Sequence, residues 1–100
     1  STTTEDKMKR IPTHPGEILK DELEIRGLSG NRLALALRVP ANRITGILNG
    51  SRSITAETAL RLAAYFSNDA QFWMNLQTQY DLAIAGEKLG SAIKNEVDAA

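Results

Sequence analysis

The chain has no cysteine. That excludes disulfides, thiol nucleophiles and thiolate metal sites. Histidine is nearly absent: His14 is the only one, too few for a usual zinc site. A Ser-His-Asp system would have to rest on His14, with no nucleophile elbow near it. No G-x-x-x-x-G-K-S/T segment offers a phosphate cradle. No apolar run approaches the ~20 residues of a membrane span. The opening STTTEDK lacks an apolar signal core. These absences set the expectations of no enzyme, no metal, no cofactor and a cytoplasmic protein. Aromatics are few, and Phe66, Phe72, Trp73 and Tyr80 all fall in the second half, so that half is expected to own much of the core.

The most informative scarcity is local. From Ile25 to Ala56 there is no acidic residue, while five arginines occur: Arg26, Arg32, Arg38, Arg43 and Arg52. The rest of the chain carries twelve acids against seven Lys/Arg. A net charge of zero therefore hides a basic segment beside an acidic remainder. A local positive field of this kind suits a nucleic-acid surface.

With 100 residues the chain supports one domain with a small core, so dimerisation is an expected source of added stability. No window alternates with period two over a strand length, and the reading is all-α. Residues 1–10 are expected to be a disordered tail, and either a natural tail or a foreign stretch ahead of Met8 fits them. Residues 11–86 form the domain, and residues 87–100 a C-terminal extension, frayed helix or tail. A first helix is expected from about Gly16 to Arg26, with Pro15 in its opening turn, Ile18, Leu19 and Leu23 inward, and Gly27 stopping it. His14 reads as the residue that opens this helix. Glu17, Asp21, Glu22 and Glu24 read as its solvated face.

Ser29 caps a second helix whose Leu33, Ala34 and Leu37 share an apolar face. Pro40 breaks it, because proline disfavours the α region at Val39. A third helix opens at Pro40 or Ala41 and ends at Asn49-Gly50. Thr55 caps a fourth, with Ala59, Leu62, Ala63 and Phe66 at buried-stripe spacing. Asn68 followed by Gln71 resembles a capping box for a fifth, in which Phe72, Trp73, Leu76, Tyr80 and Ala83 share a face. Gly86 and Gly90 weaken helix formation towards the C-terminus.

The second and third helices have the proportions of a helix-turn-helix. With Ile44 inward and a step of about 100° per residue, Ile47 and Leu48 fall on the buried face. Asn42, Gly46 and Asn49 fall opposite, flanked by Arg43 and Thr45. Asn42 suits adenine, Thr45 a thymine methyl, and Arg43 guanine or a phosphate. Asn49 and Arg52 suit phosphates, as do the Ser29 and Gly30 N–H groups. On an isolated helix such residues would be ordinary solvated ones; the acid-free setting favours DNA contact. Gly46, costly in mid-helix by about 1 kcal/mol, would let the helix approach a groove floor. Arg38 sits at a turn position whose left-handed backbone favours glycine.

Three runs carry a family resemblance: HPGEILKDELE (His14 to Glu24), LALALRVPANRITGILNGSRSITAETALRLA (Leu33 to Ala63) and FWMNLQTQYDL (Phe72 to Leu82). Together they resemble the HigA/VapI antitoxins of bacterial toxin–antitoxin pairs, within the phage-repressor-like class. The resemblance covers roughly residues 11–85. It implies a five-helix lambda-repressor-like domain, a homodimer formed through its C-terminal part, and binding to a palindromic operator in its own promoter. It also implies neutralisation of a HigB-like, ribosome-dependent mRNA-cleaving toxin, for which the acidic surfaces are candidate docking sites. The implied recognition positions are Ala41, Asn42, Arg43, Thr45 and Gly46, with Asn49 and Arg52 on the DNA backbone. Arg38, Pro40 and Gly46 depart from the usual turn glycine, Ser/Thr cap and larger polar reader. A solitary regulator without a toxin, or a protein-interaction module using the arginines on an acidic partner, are the alternatives.

Overall fold

The computed structural model describes residues 13–100. The expected tail, Met8 included, and the first residues of the expected domain lie outside that range. Among the described residues there are five helices and no strand: α1 Pro15–Arg26, α2 Gly30–Leu37, α3 Ala41–Leu48, α4 Ala56–Phe66 and α5 Ala70–Glu96. Their starts reflect local chemistry. His14 Nδ1 accepts from the Gly16 N–H at 2.9 Å, so the lone histidine is the N-cap of α1. Ser29 Oγ accepts from Arg32 N at 3.1 Å at the start of α2. Thr55 Oγ1 accepts from Thr58 N at 3.4 Å at the start of α4. Gly27 ends α1 in the left-handed region at φ 63, where a glycine carries no Cβ penalty.

α2 packs on α3, and α4 on α5; α1 lies against both α3 and α5, and α2 touches α4. The core consists of Leu19, Leu23, Leu33, Ala34, Leu37, Ile44, Ile47, Ile54, Ala59, Leu62 and Trp73. Most of it comes from the first half of the chain, contrary to the expectation drawn from the aromatics. Only Trp73 among them is fully buried, and Phe72 is 44% exposed. Small aliphatic residues build the helix-turn-helix core because its helices cross closely. Ala34 is buried at the crossing, and a Cβ on Gly30 would meet Leu48 Cδ1 at 3.0 Å.

Two expectations about α5 need correction. Asn68 does not cap it: its Oδ1 accepts the Trp73 indole N–H at 3.1 Å, and Asp69 precedes the helix without a side-chain cap bond. The buried face centres on Trp73 and Gln77 rather than Phe72. Gln77 Oε1 accepts the Ile54 N–H at 2.7 Å and its Nε2 donates to Asp81 Oδ1 at 2.9 Å. This fixes the loop after α3 to the long helix. α5 continues through Gly86 and Gly90 to Glu96, about 40 Å in all. Leu82, Leu89 and Ile93 along it, and Val97 just past its end, are exposed.

Candidate DNA-reading surface

α3 owes its orientation to three contacts. Ile44 and Ile47 are fully buried and fix its inward phase as the periodicity predicts. From the side of α1, Gly16 lies so close that a Cβ there would stand 2.9 Å from the Ile47 carbonyl carbon and nearer still to its oxygen. Only glycine fits this contact. From the side of α2, the turn is closed by Val39 N–H donating to Ala34 O at 3.0 Å and Arg38 N–H to Leu35 O at 3.2 Å. This is a helix C-terminal motif that needs a left-handed residue. Arg38 supplies it at φ 60, ψ 47, against the preference of a residue with a Cβ. The Arg61 guanidinium steadies the turn by donating to Leu37 O at 2.9 Å.

The predicted residues lie along α3 and the turn beyond it. Ala41, Asn42, Thr45, Asn49 and Arg52 are exposed; Arg43 and Gly46 are half-buried. The Thr45 hydroxyl donates to Ala41 O at 3.1 Å, the local back-bond usual for threonine in a helix. Asn42 makes no side-chain hydrogen bond among the described residues. Asn49 Oδ1 accepts from Ser51 N at 3.0 Å and from Ser51 Oγ at 2.6 Å. Asn49 thereby shapes the turn, which leaves its NH2 as its remaining donor group.

Gly46 departs from its expected role. Ser51 N–H and Arg52 N–H both donate to Gly46 O, at 2.9 and 3.0 Å, folding the chain back over α3. A Cβ at Gly46 would meet Arg52 Cβ at 3.1 Å and Nε at 3.6 Å. The space expected for a groove floor is taken by Arg52, so Gly46 seats that arginine on the helix. Arg26 lies at the end of α1, 3.3 Å from Glu22 and with its guanidinium 4.8 Å from the centre of the Phe66 ring.

The surface is less free of acid than the sequence suggests. Glu57, one residue past the acid-free stretch, reaches back from α4. Arg43 Nη1 donates to its Oε1 at 3.3 Å and Arg61 Nε to its Oε2 at 3.1 Å. The Arg61 hydrogen bond first, and the charges of Arg43 and Arg61 with it, hold the Glu57 carboxyl below its ordinary range. The i, i+4 spacing of Glu57 and Arg61 was legible in the sequence. The approach of Glu57 to Arg43, fourteen residues away, was not.

No group of three or more His, Cys, Asp or Glu able to hold a metal occurs among the described residues. No helix there is long and apolar enough to cross a membrane. An exposed helix set on a closely packed partner by a three-residue link defines a helix-turn-helix domain. The helix-turn-helix family profile matches residues 19–73. Virulence-associated protein I of Dichelobacter nodosus is 56% identical over 73 residues, covering 72% of this chain and 68% of that protein. A HigA-family addiction module antidote protein from Coxiella burnetii superposes with a TM-score of 0.86 at 51% identity, covering 91% of this chain and all of that one. Pseudomonas aeruginosa antitoxin HigA, solved with the higBA promoter, gives 0.84 at 46% identity, covering 87% and 96%. The chain belongs to the helix-turn-helix family and, within it, to the HigA-type antitoxins, a family of DNA-binding regulators rather than enzymes.

Proposed function

We propose that this protein is a sequence-specific DNA-binding antitoxin that represses its own operon as a homodimer and neutralises a HigB-like mRNA-cleaving toxin in the cytoplasm. The observation that carries the reading is the outer row of α3. Asn42 and Thr45 are exposed there, Arg43 and Arg52 flank them, and no acid lies on the helix itself. A relative of the same family was solved with promoter DNA. In this reading the N-terminal part of α3 enters the major groove. Asn42 pairs with adenine, Thr45 touches a thymine methyl, and Arg43 meets guanine. Asn49 and Arg52 hold phosphates, Ala41 lies along the groove edge, and Gly46 takes part by seating Arg52 against the helix.

The projecting half of α5 supports the dimer. Leu82 and Leu89 are seven residues apart, Ile93 follows four residues on, and all three are exposed. That is the stripe along which helices associate. Two copies of α3 would then meet successive major grooves about 34 Å apart. Binding to duplexes from the region upstream of the gene tests the reading. Asn42→Ala and Arg43→Ala should each weaken the specific complex by about 1–3 kcal/mol. Unchanged affinity in both would reject the site. For the second partner, the test is rescue of growth when the adjacent small basic gene product is co-expressed with this chain. A gene neighbourhood without such a product would leave a solitary regulator.

A further inference from the structure

Arg43 stands on the exposed helix of the domain, yet its side chain is only 25% exposed while that of Glu57 is 58% exposed. The guanidinium is drawn back towards α4 rather than extended into solvent. The acceptor that draws it is itself fixed. Glu57 Oε1 takes Arg43 Nη1, Oε2 takes Arg61 Nε, and Arg61 is anchored through Nη1 to the Leu37 carbonyl at the turn. The carboxylate is therefore clamped between two arginines, one of which is tied to the backbone of the helix-turn-helix.

We propose that Glu57 is a specificity-determining residue of the reading surface, restraining Arg43 so that it serves a base edge and not the phosphates of any duplex. The proposal rests on the reading of α3 as the DNA-contacting helix. A phosphate on random DNA offers Arg43 one opposite charge, and Glu57 already supplies that. The carboxylate also repels the phosphate it would have to make way for. A guanine presents N7 and O6 as neutral acceptors. Arginine has five donors in a rigid fork, so Nε and Nη2 remain for such an edge while Nη1 stays on Glu57. The clamp thus removes one mobile cation from non-specific binding, the mode driven by release of counterions from neutralised phosphates, and holds the same side chain ready for a base.

The test compares wild type, Glu57→Gln, Arg43→Ala and the double variant on two duplexes over a salt series. One duplex is the sequence the wild type enriches from a random pool; the other is its scrambled version. Glu57→Gln should bind the scrambled duplex several-fold more tightly, with a salt slope steeper by about 0.9, one extra phosphate contact. Its preference for the enriched duplex should fall. In the Arg43→Ala background the same substitution should give a clearly smaller gain and leave the slope unchanged. An unchanged preference and slope in Glu57→Gln would overturn the proposal. An equal gain with and without Arg43 would also overturn it, because the carboxylate would then be acting as a plain repulsive charge. A wild type that enriches no sequence would remove the reading of α3 itself, a failure distinguishable from the other two.

Discussion

Replace Gly16 by alanine. The added methyl lies among backbone atoms of Ile47, 2.9 Å from the carbonyl carbon and closer to the oxygen. Contacts under 3.0 Å are essentially never seen for real Cβ atoms. No rotamer relieves the overlap, since both partners are main chain. α1 and α3 must separate by on the order of 1 Å, and shifts of that kind cost about 1–3 kcal/mol or more. Alanine's helix preference returns less than about 1 kcal/mol of this, and less still in a first turn. For a domain this size about 1 kcal/mol moves Tm by 4–8 °C, so a fall of about 5–15 °C is expected, read by thermal and urea unfolding. Because Ile47 belongs to α3, the same shift moves the reading helix, and DNA affinity should fall beyond what unfolding alone explains. Gly90→Ala is the matched control. A Cβ there meets nothing within 4 Å, so Tm should hold or rise. A Gly16→Ala protein as stable as wild type would refute the argument that this close approach sets the position of α3.

Gln77→Leu removes the acceptor of the Ile54 N–H and should lower unfolding free energy by about 1–3 kcal/mol, the cost of an unsatisfied buried donor; urea unfolding measures it. Arg38→Gly should raise stability by about 0.5–1 kcal/mol, because the left-handed backbone at φ 60 then suits the residue; a loss would show that the arginine side chain holds the turn. Glu57 has a depressed pKa when folded. Its ion pairs therefore contribute stability above the ordinary carboxylate value, and that contribution is lost as pH falls through the folded value. Wild type and Glu57→Gln should accordingly differ near neutral pH and converge in acid, as monitored by urea unfolding across pH.

The boundaries of α1 to α4 were legible because they rest on local chemistry: Ser29 and Thr55 as caps, Gly27 as a stop, Pro40 as a break; those of α5 were not. The inward phase of α3 was legible from Ile44 and Ile47 alone. What escaped the sequence depends on residues brought together by folding. Gly16 looks like a poor helix former until Ile47 is placed against it. Gln77 looks like a surface residue until the Ile54 N–H needs an acceptor. Glu57 looks like an ordinary first-turn acid, yet it shares its carboxylate between α3 and α4. The aromatic count misled because a close helix crossing is filled by Ala34, Leu33 and Ile44, which composition does not flag.

The central claim, that α3 reads a defined DNA sequence, is met most directly by one titration. Affinity for the duplex upstream of the protein's own gene is measured against a scrambled duplex at rising salt. The account predicts salt-sensitive binding to both, with the upstream duplex held at least about a thousandfold more tightly. Equal affinity for the two duplexes, or none for either, would contradict it.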